Sequence, residues 1–418
     1  MPIRPTLSIL ASLLAGLLAS PLAALAAADE QLLAAARAAQ PAVIESLKAM
    51  VSIESGTMDR PGLGKMTDYA EGRLKAMGLQ VERRAASTGK GEMLLARATG
   101  TGRRKLMLIG HLDTVYWPGT LATQPIKQDG NKLYGPGIAD DKGGVAVILH
   151  SLAILKVAGW ADYAQLTVLF NQDEESGSTG SGETIAQLGE QQDVVLSYEP
   201  TAAKAVYKTE GVLLAAAGTA TATMTVKGRA SHAGAAPEHG RNALVELAFQ
   251  IGQTADIAKA IPGAQLNWTE ASAGKVRNQI PDHAIASADV RLTAADGAAK
   301  LEAALKAQVA QHKVPDTEIT VALNIGRPPF VGDARTLALA KRAQAIYAEL
   351  DNRPLILVPG TGGGTDAGYA SRSGKPAVLE SLGLPGWGYH AKDEYIEIDG
   401  IVPRLYLSTR LLMDLGRD

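Results

Sequence analysis

Five short stretches of the chain carry residue types that bind divalent metals or move protons. The apolar run Leu106 to Ile109 ends in Gly110-His111-Leu112-Asp113. A run of that length fits one buried strand of a covered sheet, and ligands of open α/β sheets gather at the carboxyl ends of strands. Asp113 lies two residues beyond His111, on the same side of an extended chain. Its carboxylate can accept the second ring N–H and so fix the imidazole for metal binding. Asp140 and Asp141 precede Lys142-Gly143-Gly144 and the helical run VAVILHSLAIL, so one carboxylate can cap the helix while the other stays free to bind. The run Gln165 to Asn171 ends in Gln172-Asp173-Glu174-Glu175, and Asp193 to Ser197 ends in Tyr198-Glu199-Pro200. His390 follows the loop GLPGWGY in a stretch without helical pattern.

Together His111, Asp140, Glu175, Glu199 and His390 could serve two metals, each taking one His and one carboxylate, with one Asp bridging. Nitrogen and oxygen ligands with an open position suit catalytic Zn²⁺. Two ions roughly 3.5–4 Å apart can activate one water and clamp a developing oxyanion. Glu174 cannot point the same way as its neighbour Glu175, which makes it a natural general base. Each residue alone is ordinarily a solvated loop residue or a helix start; the recurrence at successive strand ends argues for a site.

These residues need a large scaffold, and the chain supplies it. Its 418 residues, 46% hydrophobic, predict two or three domains with a sizeable core. With 41 Lys and Arg against 43 Asp and Glu, the balance favours neither nucleic acid nor an anionic membrane surface as partner. No cysteine is present, so stability rests on the core or on oligomerisation, and any metal site on His and carboxylates. Residues 1–28 contain a single charge, Arg4, an apolar run from Leu7 to Leu25, and a small-x-small site at Ala24-Leu25-Ala26. They read as a secretory signal, too short and Ala-rich for a stable membrane anchor, and predict a periplasmic or secreted protein.

Helices are expected over Glu30 to Met50, with Pro41 as a possible kink or break, and over Gly62 to Met77. VERRAA, MLLARAT and KLMLIGH read as strands, followed by the helix after Asp141. From Ala217 the texture changes: TATATMTVKG alternates, and helices and strands follow in the order β-α-β-β-α-β up to Pro328-Pro329. That order predicts a small α+β unit with one helical and one open face. The expected division is 29–216 with 329–418 as one domain and 217–328 inserted into it. The alternating strand Thr219 to Lys227 is a candidate pairing edge between subunits.

GHLDTV, GIADDKGG, NQDEESGS, SYEPT, ASHAG, GGGTDA and GLPGWGYHAKDEY, in this order, resemble the M20 family of dizinc peptidases, and within it the exported bacterial glutamate carboxypeptidases. The resemblance covers nearly the whole chain after the signal. It implies an α/β catalytic domain, with a mixed central sheet flanked by helices, and an inserted dimerisation and lid domain. It implies two Zn²⁺ per subunit, Asp140 as the bridge, Glu174 as catalytic base, Asp113 as the partner of His111, and a cis peptide after Asp140. It sets His111 and Glu199 on opposite ions, leaves open whether Glu175 or Glu199 shares the ion of His111, and completes the set with His390. His232 matches a histidine that reaches the active site of the second subunit of a homodimer and polarises the scissile carbonyl. Arg291 and Asn278 match residues that hold the substrate's free carboxylate. Lys204 and Lys208 lie near the position of a lysine associated with a glutamate side chain, without a secure alignment.

The expected activity is therefore hydrolysis of the amide bond to a C-terminal amino acid, glutamate in folate-like or N-acyl substrates. An N-acyl-amino-acid amidohydrolase with another side-chain pocket is the alternative within the same machinery. A non-catalytic periplasmic binding protein is the alternative outside it, disfavoured because a binder needs no base.

Overall fold

A computed structural model describes residues 27–89, 91–202 and 208–417. All but the last two residues of the segment read as a secretory signal lie outside these, as does Lys204. The first helix, α1 (Glu30–Val51), starts where the Asp29 carboxylate accepts from the amides of Gln31 and Leu32, and it runs through Pro41 without a break. Helix α2 (Arg60–Ala76) buries Met66 and Leu74 as its periodicity predicts.

The central sheet has the order β1 (Gln80–Ala85), β2 (Glu92–Thr99), β4 (Gln165–Asn171), β3 (Lys105–His111), β5 (Val194–Ser197) and β10 (Ala377–Leu379). β1 and β2 are antiparallel additions to a parallel block of four, which makes the sheet mixed. Side chains alternate faces. Leu106 and Leu108 join one core with α1, α3 (Lys142–Val157) and α7 (Ile401–Arg417), while Met107 and Ile109 join another with Ile185 and Leu188 of α4 (Gly182–Glu190). Because β4, β3 and β5 are parallel neighbours, the segments after Asn171, His111 and Ser197 emerge side by side.

Residues 218–325 form a second, four-stranded antiparallel sheet with its own apolar core. Its order is β7 (Ala264–Ala273), β8 (His283–Leu292), β6 (Gly218–Lys227) and β9 (Glu318–Ile325), with α5 (Ala243–Thr254) and α6 (Gly297–Gln308) packed on it. The expectation that Thr219 to Lys227 forms an edge is overturned. That strand is β6, hydrogen-bonded on one side to β8 and on the other to β9, and the edges are β7 and β9. Its alternation reflects burial of one face, which an inner strand of an open-faced sheet shows as well as an edge strand does.

His150 of α3 is buried, its Nε2 2.9 Å from the Ser46 hydroxyl, with Arg73 at 3.5 Å. Burial, aided by the Arg73 charge, pushes its imidazole down to about 4. The unfolded chain therefore takes up this proton first as the pH falls below about 6.5, and stability present above that value is lost on the way to about 4. We predict that His150→Asn flattens this acid limb. Denaturant titrations at pH 7.5 and 4.5 should show the wild type losing roughly 2–3 kcal/mol more than the variant; parallel losses would contradict it.

Candidate active site

His111 closes β3 with its ring fully buried. Its Nδ1 lies 3.0 Å from the Asp113 carbonyl oxygen and 3.3 Å from Asp113 Oδ1, so backbone and carboxylate together fix the ring. Asp113 also accepts from the Thr57 hydroxyl at 2.8 Å and from the amides of Glu174 and Glu175, both at 3.2 Å. One buried carboxylate thus ties the end of β3 to the end of β4. On the other ring edge, His111 Nε2 faces Asp140 Oδ1 at 3.0 Å and Glu199 Oε1 at 3.8 Å.

Asp140 sits on the loop before α3, and the peptide bond to Asp141 is cis. Asp141 does not cap α3, contrary to expectation: its Oδ2 accepts from the amide of His111 at 3.2 Å, and its buried Oδ1 has no partner. The start of α3 lies so close to β5 that a Cβ on Gly144 would come within 2.0 Å of the Tyr198 carbonyl oxygen. Only glycine permits that approach. His390, in a left-handed conformation (φ 61°) on the loop before Tyr395, brings Nε2 to 3.4 Å from Asp140 Oδ2 and 3.2 Å from Glu175 Oε2.

Two ligand sets result, His111–Asp140–Glu199 and Asp140–Glu175–His390, each with its ligand atoms within 4.8 Å of one another. His111 and Glu199 therefore belong to the same set, which corrects the expectation that they serve opposite ions. The cause is geometric: His111 Nε2 faces Glu199 Oε1 at 3.8 Å, while Glu175 Oε2 meets His390 Nε2 at 3.2 Å on a separate loop. Asp140 belongs to both sets, as a bridging carboxylate must.

The electrostatics fit a divalent cation. Burial and the facing carboxylate of Asp140 push Glu175 up to about 7, and burial, with Asp140 and Asp366, raises Glu199. Burial opposes charge on His111, yet Glu199, Asp113 and Asp140 outweigh it and hold the imidazole up. Glu175 Oε1 is buried with no hydrogen-bond partner. Carboxylates crowded out of water with open lone pairs, interleaved with two imidazoles, are the donor set of a hard-to-borderline dication.

Glu174 belongs to neither set. Its Oε1 meets Arg327 Nη1 at 2.5 Å, and the guanidinium also donates to the Glu174 carbonyl. Burial raises this carboxyl well above its usual range; Arg327 opposes the shift, while Glu199 and Asp366 add to it. The cleft over these groups has a volume of about 660 Å³. Arg291 lines it, its Nη1 3.3 Å from the Gly362 carbonyl. His232 and Asn278 do not line it. They lie together, both exposed, on a short ribbon where Ser231-His232 pairs with Gln279-Ile280 and the Ala233 amide donates to the Asn278 carbonyl. Lys208 is exposed, with a left-handed backbone.

Sequence reasoning missed Arg327, Glu380 and Glu394. Arg327 follows β9 and precedes Pro328-Pro329, a position whose only signal is the boundary itself. Glu380 is buried and lines the cleft. Glu394 lay in the same HAKDEY stretch as His390, but its role depends on contacts distant in sequence.

Residues 107–414 match the model of peptidase family M20/M25/M40. The chain belongs to that family. It is 44% identical over 390 residues to carboxypeptidase G2 of Pseudomonas sp. strain RS-16, covering 93% of this chain and 92% of the relative. It is 29% identical over 371 residues to a succinyl-diaminopimelate desuccinylase of Xanthomonas oryzae, covering 82% and 92%. Among solved structures it shares the fold of the M20 metallo-carboxypeptidase Sso-CP2 of Sulfolobus solfataricus, with a TM-score of 0.70, 13% identity, and coverage of 90% and 99%. The chain is thus a metallocarboxypeptidase, a metal-dependent hydrolase with an α/β catalytic fold.

Proposed function

We propose that the enzyme carries two zinc ions and removes a C-terminal glutamate from folate-like or N-acyl substrates. The observation that carries this reading is the pair of ligand sets sharing Asp140, with Glu174 beside both and in neither. His111 and Glu199 would hold one ion and Glu175 and His390 the other, with Asp140 shared. When bound, such a pair supplies Lewis acidity that acidifies water and polarises an amide carbonyl. Glu174 takes the water proton on its carboxylate and delivers it to the leaving amine nitrogen. Its burial suits both halves of that cycle, because a raised carboxyl holds the proton long enough to pass it on. Arg327 keeps Glu174 aimed, and the Arg291 fork offers two parallel donors to the free carboxylate of the substrate.

His232 and Asn278 do not line the cleft of their own chain, which supports their contribution from the second subunit of a homodimer. The open edges β7 and β9 are the strands available for pairing in that assembly. Residues 217–328 would then act as lid and dimerisation domain. The N-terminal apolar segment supports export to the periplasm or beyond. Among the described residues no helix is long and apolar enough to cross a membrane.

The relationship to a desuccinylase favours one second reading, an N-acyl-amino-acid amidohydrolase built on the same centre. A panel of N-acyl amino acids, assayed with zinc-loaded enzyme, separates the two. We expect kcat/KM for N-acyl-glutamate to exceed that for N-acyl-leucine by about 100-fold or more, because a site built to pair with a side-chain carboxylate rejects analogues that lack it. Faster cleavage of N-succinyl diamino acids would transfer the reading to the amidohydrolase.

A further inference from the structure

Glu394 is buried, carries no ligand atom of either set, and yet touches the segments that bear them. Its Oε1 accepts from the amides of Ala139 at 2.8 Å and Asp140 at 3.0 Å. Its Oε2 accepts from the amide of Gly137 at 2.9 Å and faces the Tyr116 hydroxyl at 2.7 Å. That hydroxyl also lies 2.8 Å from the Ala391 carbonyl, and the Glu394 carbonyl accepts from the Gly135 amide at 3.2 Å. Three loops meet on one side chain: the one after β3, which carries Tyr116; the one before α3, which carries Asp140; and the one bearing His390, four residues upstream.

We propose that Glu394 is a positioning residue for the metal centre, clamping the Asp140 and His390 loops to each other. The inference rests on the dizinc reading above. Three amide donors on one carboxylate are charge-assisted bonds inside a dry site, and they fix the backbone of Asp140 directly. The two ligand sets depend on this clamp unequally. His111 is buried at the end of a central strand and oriented by Asp113, so it keeps its place without Glu394. His390 is 55% exposed in a left-handed loop, and its loop is pinned through Glu394 and the Tyr116–Ala391 contact. The set containing His390 is therefore the one that loosens when the clamp is removed.

The test is zinc affinity of the full chain, measured by chelator competition. Glu394→Ala should weaken the looser zinc by about 10- to 100-fold, the range found for residues that support metal ligands, and the tighter one by less than about threefold. Glu394→Gln, which keeps one acceptor oxygen, should recover part of the loss, and Tyr116→Phe should cost less than either. With cobalt in place of zinc, the spectrum of the looser ion should change in the Ala variant while that of the tighter ion is retained. Equal weakening of both ions, or a lower melting temperature of the metal-free protein with both affinities unchanged, would overturn the proposal. If the wild type binds fewer than two zinc ions, the dizinc reading fails instead. Amide hydrogen exchange at Gly137, Ala139 and Asp140 in metal-free protein then still tests the clamp, which predicts at least tenfold faster exchange in Glu394→Ala and is refuted by unchanged rates.

Discussion

Glu174→Gln should lower kcat by about 10²- to 10⁴-fold and leave the metal content of the enzyme as it was. The magnitude is that of a lost general base, for which the amide offers a similar shape and no basicity. Retention of metal follows from geometry. Glu174 points at Arg327, whereas the ligand oxygens come from Asp140, Glu175 and Glu199. The neighbouring Glu175→Gln variant should behave differently, losing metal as well as rate, because its oxygen faces His390 at 3.2 Å. Metal analysis alongside steady-state kinetics on both variants distinguishes the two adjacent glutamates. Loss of metal from Glu174→Gln with retention in Glu175→Gln would mean that the roles of base and ligand are reversed.

Much of this centre was legible because strand ends are legible. An apolar run that stops at a His or a pair of acids is a local pattern, and parallel strands bring such ends together wherever they lie in the chain. His111, Glu175 and Glu199 could be found in that way. His390 and Asp140 sit on loops, and their assignment came from the motifs around them. What could not be read was pairing. Which carboxylate joins which histidine is not decided by the sheet order, since β3 lies between β4 and β5; it depends on where the His390 loop enters, and no residue pattern records that. The same gap explains the misplacement of Thr219 to Lys227 at an edge. Arg327 and Glu394 were missed because their partners, Glu174 and the amides from Gly137 to Asp140, are over a hundred residues away. The β-α-β-β-α-β order of residues 218–325, by contrast, is visible in the alternation and in the helical periods, each of which is set locally.

The central claim is that hydrolysis runs through a two-ion centre held by these five residues. The crowding of Glu174, Glu175 and Glu199 at one point, each pushed toward its neutral form chiefly by burial, makes sense for function only with compensating positive charge beside them. Removing the metal should therefore abolish turnover without unfolding the chain, whose cores are formed by side chains away from the cleft. The direct measurement is elemental analysis of purified enzyme, followed by dialysis against a chelator and stepwise return of zinc while rate is monitored. The account predicts about two zinc ions per chain, loss of at least 10³-fold in rate on chelation, and recovery that saturates near two equivalents, with Asp140→Ala binding neither ion tightly. Enzyme that holds no zinc as purified and keeps its full rate in chelator would contradict it.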